Sequence, residues 1–301
     1  GDYFVEDIQG GAEIYDDNLL SLLKDQKHKV VRFRSAEVTT KHVNLYRKMG
    51  FHFLVSNFIR LRPEVKELLT RTPNSYSIIE HDHKYISHRD PSRYAEYTVP
   101  SSQIINREFY VNAKNVFAQS KIHSEVINKN LNIKVINLGM SLWTDEQLET
   151  ITRHMNSPKT ETHAVIESSN PTKNTHANIH YCESNDLPYT KIGPSSHEAF
   201  IEQLSKCQKL VFFPAVLETF NRVLVEARML NCKVVTNANN GCISEPWFAD
   251  LTGQDLIDFV RSRRPQIVKT ITEAMATEPT RVDPEDITVI LNAYRRPYNL
   301  P

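Results

Sequence analysis

The sequence predicts an α/β protein of two domains, each a parallel sheet covered by helices, that face one another across a cleft. Two observations predict it. Short apolar runs alternate with amphipathic stretches along most of the chain. The alternation halts at a polar, proline-bearing segment, residues 157–162 (SPKTET), and then restarts. Strands separated by helix-length crossovers must run parallel, with helices on both faces of the sheet. Two doubly wound domains place the carboxyl ends of their strands at a shared crevice, where ligands bind in such folds.

The elements follow in order. Residues 3–5 read as a strand running into Gly10 and Gly11, and residues 12–24 keep helical spacing through Ile14, Leu19, Leu20, Leu22 and Leu23. Strands are expected at 29–33, 51–55, 76–79, 116–118 and 135–136, and helices at 39–48, 63–69, 102–112 and 121–130. After the linker the strands fall at 164–166, 189–192, 210–213 and 233–236. The helices between them fall at 175–184, 197–206 and 219–230, and a helical stretch starts at 253.

The chain has 301 residues, 40% of them hydrophobic and 24% charged, enough for a substantial core without staples. Lys+Arg and Asp+Glu are equal at 36 each, so no global field draws the chain to nucleic acid or membrane. The clusters Arg60 with Arg62, and Arg261, Arg263 and Arg264, read as solvated faces. Cys182, Cys207, Cys232 and Cys242 form no CxxC pair and sit in or beside apolar runs, which favours buried, reduced thiols in a cytoplasmic protein. No run has the length of a membrane span, and no signal peptide is visible.

Residues 210–247 (LVFFPAVLETFNRVLVEARMLNCKVVTNANNGCISEPW) carry the most chemistry. A buried strand ends at Pro214, Glu218 stands at the entrance of the next helix, and Glu226 lies eight residues on. That spacing gives roughly 12 Å of rise and about 80° of azimuth, so both carboxylates can border one elongated ligand. Amides around Thr219, Phe220 and Asn221, at a helix start, suit a phosphate. The plain alternative makes Glu218 a helix-dipole charge and Glu226 a surface residue. Gly10 and Gly11 let backbone approach a ligand closely, although the loop is not GxGxxG and fits a dinucleotide dehydrogenase poorly. The run Glu80-His81-Asp82-His83-Lys84-Tyr85 follows a strand and offers potential metal ligands. Its plain alternative is a loop held by its own side-chain hydrogen bonds.

Residues 210–247 resemble the E-x7-E signature of the retaining GT-B glycosyltransferases of the GT4 family, which includes sucrose synthases and bacterial mannosyl- and glucosyltransferases. Strand, Pro214, Glu218-Thr219-Phe220, helix, Glu226-Ala227, strand at Val234-Val235 and Gly241 fall in the family's order. The glycine usual at the position of Asn221 or Arg222 is missing. The resemblance implies two Rossmann-like domains, a retaining, metal-independent transfer from a nucleotide-diphosphate sugar (UDP the first choice), and no cofactor. It implies that Glu218 contacts the donor sugar and Glu226 the ribose. Lys173, in the segment SSNPTK, would neutralise the diphosphate with another cation, for which Arg222 is one candidate. Gly193 would lie in the nucleotide-base loop, Gly10 and Gly11 would line the cleft, and His81, with His83 second, would stand near the leaving group.

The implied domains are 1–155 on the acceptor side, 156–275 for the nucleotide sugar, and a helical segment at 276–301 packing back on the first domain. The blocks IIEHDHKY, NREFYVNAKNVFAQSKIHSEV and NLGMSLW are similar to small transferases encoded by bacteriophages. That likeness makes a hydroxymethylated base in duplex DNA one acceptor, beside a cell-surface glycan or lipid. Residues 1–155 carry 21 Lys+Arg against 19 Asp+Glu, too slight an excess to decide for DNA. The protein would be a monomer or homodimer. Competing classes are a metal-dependent hydrolase using His81, Asp82 and His83, a nucleotide-sugar epimerase, and a non-catalytic glycan-binding module.

Overall fold

The computed structural model describes residues 1–8, 10–72 and 74–276, and the backbone of 288–290. The first part runs α1 (Gly11–Asp25), β1 (Lys29–Val30), α2 (Thr40–Lys48), β2 (His52–Val55), α3 (Pro63–Thr70) and β3 (Tyr76–Ile79). It continues with α4 (Arg107–Val111), β4 (Val116–Ala118), α5 (Lys121–Leu131), β5 (Ile136–Asn137) and α6 (Asp145–His154). The second part runs β6 (Thr160–Ile166), α7 (Thr175–Ser184), β7 (Tyr189–Ile192), α8 (His197–Ser205) and β8 (Cys207–Phe212). It ends with α9 (Arg222–Met229), β9 (Lys233–Thr236), α10 (Pro246–Asp250), α11 (Gly253–Met275) and β10 (Thr288–Ile290).

All pairings in the two sheets are parallel, in the orders β1-β10-β2-β3-β4-β5 and β7-β6-β8-β9. In the second sheet the order reverses direction between β6 and β8. The loops leaving those two strands therefore diverge to opposite faces and open a crevice at their carboxyl ends. Local chemistry sets the helix starts. Thr39 with His42, and Thr144 with Gln147, form reciprocal capping boxes, and the side chains of Ser120, Ser196 and Asn221 cap α5, α8 and α9. In α1 the buried residues Tyr15, Leu19 and Leu23 recur every four positions and face the core. One apolar cluster runs from α1, Leu54, Ile79 and Phe117 of the first sheet to Ala164, Leu210 and α11. The two lobes thus share packing instead of meeting only through a linker.

Several expectations need correction. Residues 3–5 form no strand, because the Phe4 amide donates to Asp7 Oδ2 (3.0 Å) and the amides of Asp7 and Ile8 return to the Phe4 carbonyl. The helix expected at 102–112 is reduced to α4, since a short 3-10 turn at Ser101–Gln103 gives way to Ile104, held extended in a bridge to Ile86, and Asn106 is left-handed. The expected linker loses residues 160–162 to β6. Helix α6 lies within the segment assigned to the acceptor side, yet it packs on α8 and α11. Of the helical segment expected at 276–301, residues 288–290 are strand and nearly all the rest lies outside the described residues. Arg264 is not on a solvated face: it is buried, donating to the Trp143 carbonyl (3.1 Å) and to Asp145 Oδ1 (2.5 Å). The four cysteines are buried and free, and burial raises the thiol pKa of each, that of Cys232 to about 12. Among the described residues, no helix is long and apolar enough to cross a membrane.

Candidate active site

The cleft between the sheets has a volume of about 480 Å³, within the usual range for small-molecule sites. Gly10, Gly11 and His81 line it from the first lobe, and Lys173, Glu218 and Glu226 from the second. Thr219, Phe220, Asn221 and Arg222 border it as well. Gly193 does not. It closes β7, where a Cβ would make only ordinary contact with Glu167, and Ser195 and His197 reach the cleft in its place.

Lys173 and Glu218 sit on the loops that leave β6 and β8, on either side of the point where strand order reverses. Their side chains meet, Lys173 Nζ donating to Glu218 Oε1 at 2.7 Å. The pair is partly open, with side-chain exposures of 34% and 17%. A cation and a carboxylate held here can exchange partners with a ligand that carries phosphate and hydroxyl groups.

Helix α9 starts at Arg222, three residues later than the sequence pattern indicates. Glu218 is instead held extended in a parallel bridge to Asn240, and the chain bends at Thr219. The Glu218 amide donates to the Asn239 carbonyl (2.9 Å), the Gly241 amide to the Glu218 carbonyl (2.7 Å), and Asn221 then caps the Leu224 amide. Two hydrogen bonds tie this segment to the first lobe: Ser120 Oγ to the Thr219 carbonyl (2.6 Å) and Thr219 Oγ1 to the His81 carbonyl (2.7 Å). The amides that open α9 are accordingly those of Arg222 and Val223, one turn beyond Glu218. Gly241 is required for this arrangement, since a Cβ there would overlap the Thr219 carbonyl oxygen and Ser120 Oγ. Gly241→Ala is expected to lower stability by about 1–3 kcal/mol, seen as a lower urea midpoint with unchanged slope. A wild-type midpoint would show that the segment has room to shift.

Glu226 is buried, and Trp143 Nε1 donates to its Oε1 at 2.8 Å. His197 Nε2 (3.5 Å) and the Arg222 guanidinium (3.6 Å) approach the same oxygen. Burial alone would raise the carboxyl pKa, but His197, Arg222 and the indole together hold it below the usual value. Arg222 also donates to Ser141 Oγ (3.1 Å) and the Leu142 carbonyl, with its guanidinium 4.2 Å from the centre of the Trp143 ring. Burial pulls its pKa down to about 10. Arg222 is thus engaged with the 141–143 loop, while the ion pair of Lys173 is with Glu218.

The 80–85 loop divides its side chains. His81 reaches the cleft, and its Nε2 meets Asp16 Oδ1 of α1 at 2.9 Å. His83 turns into the core, bonded through Nδ1 to the Tyr85 hydroxyl (3.1 Å) and edge-on to His123, and burial pushes its pKa down to about 4. Glu80 and Asp82 both accept from Lys84 Nζ, at 2.6 and 2.7 Å. The metal-ligating expectation for His81, Asp82 and His83 fails on this divergence: among the described residues no group of three such side chains could hold a metal ion.

Sequence reasoning missed Asp16, Trp143, Gln147 and His197. The capping box of Thr144 and Gln147 was a readable signal for α6 and its entrance. Nothing local marked the other three, because their partners lie far away in the chain.

Two parallel α/β sheets with an interdomain cleft define the GT-B architecture. Solved structures similar to the chain include Anabaena HepE in complex with UDP and glucose, at 12% identity and TM-score 0.50 over 89% of this chain and 96% of that one. A glycosyltransferase from Rickettsia africae ESF-5 is similar at 12% identity and TM-score 0.48 (89% and 93%). Sucrose-phosphate synthase from Thermosynechococcus elongatus is similar at 14% identity and TM-score 0.47 (77% and 76%). At these identities the likeness is one of fold. No protein-family model and no curated protein matches the chain.

Proposed function

We propose that this protein is a retaining, metal-independent glycosyltransferase of the GT4 type that moves a sugar from a UDP-sugar to a hydroxyl acceptor. The observation that carries the reading is the Lys173–Glu218 pair, 2.7 Å apart at the strand-order reversal of the second sheet and bordering the cleft. Breaking a sugar–diphosphate bond builds negative charge on the leaving phosphate, which fixed donors and cations stabilise. In this reading Lys173 and the first amides of α9 take that charge, Glu218 accepts from sugar hydroxyls, and Glu226 accepts from the ribose. Gly11 leaves open space where a side chain would intrude, since a Cβ there meets nothing within 4 Å. Same-face attack, with the departing phosphate taking the acceptor proton, gives retention without a protein nucleophile.

The Anabaena protein of the same fold was solved with UDP and glucose, which makes UDP-glucose the first donor to test. The test is a panel of nucleotide sugars with the purified chain, scored for thermal shift, hydrolysis and product anomer. Stabilisation by UDP and slow donor hydrolysis are expected. No shift and no hydrolysis with any donor, or an inverted product, would overturn the reading. Among acceptors, hydroxymethylated duplex DNA is tested first, by the salt dependence of binding. No binding at low salt removes it and leaves a glycan or lipid hydroxyl.

A further inference from the structure

His81 borders the cleft, and its environment is built by residues distant in the chain. Its side chain is 3% exposed and that of Asp16 16%. Asp16 Oδ1 lies 2.9 Å from Nε2, the edge of Tyr15 lies 5.2 Å away between ring centres, and the His81 carbonyl is fixed by the Thr219 hydroxyl. Burial would raise the Asp16 carboxyl, but the charge and hydrogen bond of His81 help hold it below its usual value. An ionised carboxylate only accepts, so Nε2 must carry the hydrogen. Nδ1 is then the free ring atom, buried and with no hydrogen-bond partner in the protein. Leaving such an atom unpaired is costly, and a polar group of a ligand in the cleft would relieve it.

We propose that Asp16 is a positioning residue: its carboxylate, which can only accept, keeps the hydrogen on Nε2 of His81, so that Nδ1 is presented to a polar group of the bound nucleotide. The proposal rests on the transferase reading and deepens it. A merely structural tie between α1 and the loop would be met as well by an amide, whereas this role needs a group that can only accept, because an amide can also donate and leaves the tautomer open. Glu13 of α1 and His123 of α5 also interact electrostatically with His81, and Lys173 and Glu218 line the same cleft.

The experiment compares wild type with Asp16→Asn, Asp16→Ala and Asp16→Glu. It follows kcat and KM for UDP-glucose, and imidazole nitrogen NMR of His81 with and without UDP. Asp16→Asn is expected to lower kcat by about tenfold or more with KM within about threefold. Asp16→Glu should recover more activity than Asp16→Asn. The wild-type Nδ1 resonance should move on adding UDP, and that of Asp16→Ala should not. Wild-type kcat in Asp16→Asn, or a change confined to KM, would overturn the proposal. If no donor turns over in the wild type, the transferase reading fails and the NMR arm decides alone: an Nδ1 resonance that UDP leaves unmoved in the wild type overturns the role of Asp16.

Discussion

Glu218→Ala and Lys173→Ala are each expected to cut turnover by at least about tenfold while leaving the fold intact, and losses of 10²–10³ are common when one donor to a developing charge is removed. The two side chains meet on loops, not in the core, and both remain partly exposed. Pairs of this kind contribute about 0–1 kcal/mol to stability. A large effect on rate with a small effect on melting would therefore locate their importance in the bound state. The two variants should differ in kind. If Lys173 serves the phosphates as proposed, its loss should weaken the binding of UDP itself. If Glu218 serves the sugar as proposed, its loss should leave UDP binding much as before while UDP-sugar turnover falls. Wild-type rates in either variant, with donor at saturation and below it, would remove the site assignment.

The architecture is legible in the sequence because its strands are short, apolar and bounded by turn residues. Strands 76–79, 189–192 and 233–236 and helix 175–184 are read to the residue. Reading fails where a distant partner decides. Residues 219–221 look helical, yet Asn239, Asn240 and Gly241 hold the backbone at Glu218 extended, so α9 starts late. Residues 3–5 look like a strand, yet their hydrogen bonds close locally through Asp7. The site behaves alike. Lys173, Glu218 and His81 follow strands, and the carboxyl ends of strands in this architecture point to one crevice, so their meeting can be foreseen. Asp16 cannot be told from Asp17 by sequence. Neighbouring helix positions diverge by about 100°, and only packing shows that Asp16 faces His81 while Asp17 faces Arg32.

Lys84→Met should have the largest effect on stability, about 3–5 kcal/mol, because it strips the counter-charge from a carboxylate that water does not reach. The side chains of Lys84 and Glu80 are both 0% exposed and meet at 2.6 Å. The Tyr110 hydroxyl also donates to Glu80, and Asp82 accepts from Lys84 at 2.7 Å. Burial would strip the ammonium of its proton, but Asp82 and Glu80 outweigh it and raise the Lys84 pKa; burial is the main reason that of Glu80 is also raised. With methionine in place, Glu80 must take up a proton or remain charged without a partner, and either outcome disfavours the folded state. Adding Glu80→Gln should return part of the loss, and the double-mutant cycle measured by urea unfolding gives the coupling. An unchanged midpoint in Lys84→Met would mean that water reaches Glu80. Because His81 lies in the chain between Glu80 and Asp82, the same network fixes the loop that carries the imidazole to the cleft. Donor turnover in Lys84→Met should accordingly fall even at temperatures where the variant is fully folded, and Glu80→Gln should restore stability more completely than it restores rate.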